Sequence, residues 1–147
     1  MLFTEAFAKN MLSGTDDLWR NIAAMPVDKM TWKAETSVRS TRELLDELVS
    51  ATNFTTAVLK TKSSAADAWV ASDTLSFEEL EPAHRKAVAD VIAAVSEFPD
   101  AELSETVDLP WGKLTYFEVA SYAYWNLMYH LGQIAYVQTL YGDGDFH

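Results

Sequence analysis

The 147-residue chain contains no cysteine, only 5 glycines and 4 prolines, and half as many basic residues as acidic ones, 11 Lys and Arg against 22 Asp and Glu. Without cysteine there is neither a disulfide frame nor a thiol nucleophile of the protein's own, so the fold must stand on packing, and a reducing compartment fits. The formal charge of −11 repels phosphate backbones and anionic headgroups, which argues against nucleic acid and membrane surfaces as partners. No apolar run reaches the roughly 18 residues of a membrane span, and Glu5 and Lys9 interrupt any leader-like segment. A cytoplasmic, unprocessed protein is expected. A chain of this length needs one core, so residues 1–147 are read as a single domain.

What is plentiful is apolar residues at helical spacing. Phe3, Phe7, Met11, Leu18, Ile22 and Met25 recur at three- and four-residue steps, predicting a first helix from Leu2 to Met25 with Gly14 as a weak point. Pro26 stops it, and Trp32 pins the connector that follows. Ser40 with Glu43 forms a capping box that opens a second helix to about Leu59. Lys60 to Leu75, with Trp69 in its middle, reads as a long crossover loop.

Ser76 with Glu79 signals a third helix, with Pro82 placed at the first position of its main body and Glu97 at its end. Thr115 with Glu118 opens the last helix, which runs to about Tyr141 with Gly142 as its C′ residue. No strand is expected, and the turn Leu109-Pro110-Trp111-Gly112-Lys113 is read as a connector. The pattern predicts an all-α protein, a four-helix bundle with one long crossover connection.

Only three histidines are available for chemistry. His84, beside Arg85 and Lys86, reads as a solvated surface residue, and His147 as a frayed end. His130 is mid-helix, with Asn126 one turn earlier and Gln133 one turn later. Residues four apart differ by only about 40° around a helix, so Asn126 and His130 point at one place. A carboxylate from a facing helix would complete a polar site, and Glu47, in the run Leu44-Leu45-Asp46-Glu47-Leu48, is the candidate, although spacing alone does not separate it from Asp46. The plainer alternative is a structural buried histidine bonded to its neighbours.

Tyr129-His130-Leu131-Gly132-Gln133-Ile134, followed by Thr139-Leu140-Tyr141-Gly142, resembles the last-helix signature of the DinB/YfiT superfamily. Ser37-Val38-Arg39-Ser40 before Glu43-Leu44-Leu45 is similar to that family's second-helix start, and Leu109 to Thr115 to its turn into the last helix. The resemblance implies a four-helix bundle, often a homodimer, with a divalent metal held by three histidines. His130 matches the final ligand, while the other two positions fall on Asn126 and Glu47. An amide and a carboxylate in place of two imidazoles move the site away from tight zinc binding, toward weakly held Ni, Zn, Mn or Fe.

Two functions follow from that resemblance. One is a metal-dependent thiol S-transferase or isomerase, in which His130 and Glu47 are catalytic and a low-molecular-weight thiol attacks a small-molecule electrophile. The other is a non-enzymatic, metal-free module that binds a small ligand or serves as a structural dimer, with Tyr122, Trp125 and Tyr129 lining a pocket or an interface stripe.

Overall fold

Three Ser or Thr residues, each followed three positions later by Glu, set where the helices begin. The backbone N–H groups of Ser40, Ser76 and Thr115 each donate to the carboxylate of Glu43, Glu79 and Glu118, all at 2.7 Å. These bonds satisfy donors that a helix start leaves open. In the computed structural model, which describes residues 3–65, 74–145 and 147, the helices are α1 (Phe3–Ala24), α2 (Thr41–Thr61), α3 (Phe77–Glu97) and α4 (Tyr116–Leu140). Trp69 lies outside the described residues.

α2 packs against α3 and α4, and α1 packs against the same two helices. The bundle is therefore a square with α1 opposite α2 and α3 opposite α4. Steps across the diagonal fall at the first and third connections, which take residues 25–40 and 98–115, and not at the second. The core fills with Met11, Leu18, Leu45, Leu48, Val91, Leu127 and Ile134, all essentially without solvent contact. Gly14 lies on this packed face because a Cβ there would stand 3.0 Å from Leu127 Cδ2. Its place in a helix interior reflects close approach of α1 to α4. Trp32 packs edge-on against Tyr141, ring centres 6.3 Å apart, and so ties the first connector to the end of α4.

Beyond the placement of these crossings, the structure departs from the sequence reading in three places between the end of α2 and the start of α4. First, a small antiparallel hairpin precedes α4: β1 (Thr106–Leu109) pairs with β2 (Gly112–Thr115), Thr106 opposite Thr115 and Leu109 opposite Gly112. Four-residue strands are too short for alternation to be read, but Val107 and Leu109 do face the core. Second, α3 starts at Phe77, so Pro82 lies inside it. Its missing N–H removes the usual bond to the carbonyl of Glu78, in an exposed first turn where water can take its place.

Third, His84 is buried. With α3 starting at Phe77, Leu80, His84, Ala87, Val88 and Val91 form one stripe facing the core. The Trp19 indole N–H donates to His84 Nδ1 at 3.0 Å, and His84 is 1% exposed. Burial, together with the charge of Arg85, pushes the imidazole down to about 4. Arg85 itself is held by Asp16 and Glu81, both at its exposed side.

Protonation of His84 would set an N–H against the indole N–H, since both imidazolium nitrogens donate. Its pKa falls on folding, so its share of stability is complete above the ordinary value of 6.5 and is lost as pH falls toward about 4. The expected loss across that window is about 3 kcal/mol, at about 1.4 kcal/mol per pH unit. Urea unfolding at stepped pH should show this slope, and His84→Gln should flatten it. A His84 ring proton that titrates near 6.5 would overturn the assignment.

Candidate functional site between the second and fourth helices

Leu44, Leu45 and Leu48 turn one face of α2 into the core and leave Glu47 on its flank, half-buried and facing α4. On α4, Val119, Ala123, Leu127 and Ile134 make the apolar seam, and Asn126 and His130 are buried with it, 3% and 0% exposed. The structure brings two of the sequence candidates together at this seam: Glu47 Oε1 stands 3.5 Å from His130 Nε2. Asp46 turns away and pairs with Arg42 at 2.8 Å.

The orientation of the imidazole comes from Gln133, one turn on. His130 Nδ1 lies 2.7 Å from Gln133 Oε1. An amide oxygen only accepts, so Nδ1 carries the proton and Nε2 keeps a lone pair. Nε2 is buried with no hydrogen-bond partner. Burial holds the His130 pKa below its ordinary value, Gln133 partly offsets this, and the charge of Arg39 lowers it further.

Asn126 presents a second unsatisfied acceptor. Its amide hydrogen-bonds the Tyr122 hydroxyl, whose own pKa is pushed up by burial, while Oδ1 is buried and unpartnered. Glu47 is paired on its other oxygen with Arg39, from the connector before α2. An imidazole nitrogen, an amide oxygen and a carboxylate thus offer lone pairs on one seam, and among the described residues Arg39 supplies the counter-charge.

Two acceptors 3.5 Å apart repel unless a proton, a cation or an outside donor lies between them. The lowered His130 pKa disfavours the proton. No group of three His, Cys, Asp or Glu among the described residues is placed to share a metal ion. A cation here would therefore need the amide oxygen of Asn126 as its third protein ligand, a set that suits hard, weakly bound ions.

The other histidines do not join this site. His84 belongs to the α1–α3 packing, and His147 is not frayed: its Nε2 lies 3.0 Å from Asp143 Oδ2, and its carbonyl accepts from Asn21 at 3.5 Å. Arg39 and Gln133 hold positions at this seam that spacing did not assign. Gln133 was open to discovery as an i+3 neighbour of His130, whereas the approach of Arg39 to Glu47 depends on the path of the connector. Tyr122, Trp125 and Tyr129 form a stacked ladder along α4, with ring centres 5.7 and 5.2 Å apart. Trp125 and Tyr129 are about half exposed. Among the described residues no helix is long and apolar enough to cross a membrane.

The DinB superfamily profile matches residues 12–134. No curated protein sequence matches the chain. Among solved structures, a DinB-like protein from Bacillus subtilis is similar over 97% of this chain and 96% of its own, with a TM-score of 0.77 and 15% identity. A conserved protein from Enterococcus faecalis is similar over 95% and 97%, with a TM-score of 0.75 and 15% identity. A mycothiol-dependent maleylpyruvate isomerase is similar over 90% of this chain and 61% of its own, with a TM-score of 0.67 and 15% identity. At this identity the likenesses establish the fold, four helices with a small hairpin.

Proposed function

This chain belongs to the DinB superfamily, and from that premise we propose that its α2–α4 seam is a weak divalent-cation site serving a thiol-dependent S-transferase or isomerase. The observation that carries the reading is the pair of buried, partnerless acceptors, His130 Nε2 and Asn126 Oδ1, beside the Glu47 carboxylate. One imidazole with two oxygen ligands is a set open to Ni, Zn, Mn or Fe, each weakly held. One structural relative depends on mycothiol, and the absence of cysteine here accords with a sulfur nucleophile brought in by a small molecule.

A cation bound here would lower the pKa of an incoming thiol, so that its thiolate attacks an electrophile. The protein's part is to hold the imidazole in one tautomer through Gln133, to supply negative charge from Glu47, and to orient Asn126 through Tyr122. Arg39 opposes the cation, because it neutralises Glu47 and repels positive charge. The competing reading, a metal-free ligand-binding module, draws its support from that ion pair.

Manganese titration by calorimetry separates the two. Native protein should bind one Mn²⁺, and His130→Ala and Glu47→Gln should each lose it with helix content unchanged by circular dichroism. Arg39→Gln should tighten it about tenfold, or ~1.4 kcal/mol. Equal affinity in native protein and His130→Ala would reject the ligand set.

We also propose that the protein is a homodimer joined through the exposed Trp125 and Tyr129 stripe, since a stacked aromatic ladder on an outer face is the residue chemistry of an interface. Light scattering should return twice the 16.4 kDa chain mass, and Trp125→Glu should return the single mass. A native monomer at micromolar concentration would contradict it.

A further inference from the structure

Beside the α2–α4 seam lies a separate cavity of about 260 Å³, walled mainly by Trp32, Val38, Leu44, Tyr136 and Leu140. Its walls are apolar and aromatic, and among the described residues its charged lining consists of Lys33 and Arg39. In a chain of formal charge −11, both charges among the described lining residues are positive. Glu43 and Glu47, which pair with these cations, do not line the cavity. Gln133, which orients His130, lines it too.

From this we infer that the cavity binds a small aromatic or branched aliphatic carboxylate, its apolar body against Trp32 and Leu44 and its carboxylate on the Arg39 guanidinium. A planar guanidinium has five N–H donors and matches a carboxylate with two parallel bonds, so pairing with Glu47 leaves donors for a second anion. The pocket's rear wall is held: Leu44 is fully buried, and Trp32 is fixed between Tyr141 and the ammonium of Lys29, which lies 5.7 Å from the Trp32 ring centre. An apolar pocket with a few placed polar groups is the usual form of a small-ligand site.

The inference bears on the proposed function because Arg39 and Gln133 touch both places. A carboxylate on Arg39 would loosen its hold on Glu47 and so place the ligand next to a freed acceptor set. Only the ligand's role as electrophile rests on the cation reading. Binding itself needs no cation, and the test is therefore run on chelator-treated protein.

The probes are hydrocinnamate and its neutral amide, which share one apolar body. Their binding is followed through the Trp32 indole resonance in nitrogen-15 NMR, assigned with Trp32→Phe. Hydrocinnamate should shift that resonance and bind at least about tenfold more tightly than the amide, a ratio set by a charge-assisted bond. Arg39→Gln should bring the two affinities within about twofold of each other, while Arg39→Lys should retain part of the preference. Equal affinity in native protein, shifts confined to other tryptophans, or no binding of either probe would overturn the assignment. So would a Trp32 resonance that moves with protein concentration alone, since a second copy of the chain would then fill the pocket. Loss of manganese binding with carboxylate binding intact would defeat the cation reading and leave this one standing.

Discussion

Glu47 Oε1 and His130 Nε2 face each other across the α2–α4 seam at 3.5 Å, and neither has a proton to offer the other. That apposition is unfavourable by itself, and the neighbouring structure is arranged around it. Gln133 holds the imidazole proton on the far nitrogen, Arg39 neutralises the second carboxylate oxygen, and Asn126 adds another unsatisfied oxygen one turn away. Removing water from such groups costs free energy that a well-packed apolar pair would not incur. Those two buried, open acceptors are what the proposed cation site rests on.

The bundle supplies the rigidity this requires. α4 is anchored at its start by the Thr115–Glu118 capping box and by backbone bonds from Tyr116 to Glu105 and Phe117 to Leu103. α2 is anchored by Ser40 and Glu43, and the bond from Lys33, with the Ser40 backbone, holds the Glu43 carboxyl at about 2. Those two anchored helices carry the site, while α1 and α3 close the square behind them, with the Trp19–His84 bond inside their contact. The connector before α2 has a double part, since Arg39 reaches the seam and Trp32 and Val38 wall the neighbouring cavity.

Much of this was legible in the sequence, for identifiable physical reasons. Capping boxes are local, so Ser40, Ser76 and Thr115 marked helix starts correctly, and the Asn126–His130 pair follows from helical geometry alone. The hairpin was missed because four-residue strands carry too little alternation. With Pro82 read as the start of the helix body, the polar neighbours Arg85 and Lys86 outweigh the Leu80–Val91 stripe on which His84 lies, and its burial is hidden. Arg39 was beyond reach, since a connector's path depends on tertiary packing and not on spacing.

The proposed cation site depends on one tautomer. Nitrogen-15 NMR of the imidazole in metal-free protein, taken across neutral pH, reads it directly. The structure requires a His130 ring protonated at Nδ1 with Nε2 bare, remaining so below pH 6.5, the ordinary histidine value. A proton found on Nε2, bonded to Glu47, would make the seam a satisfied structural pair and remove the basis for a cation site.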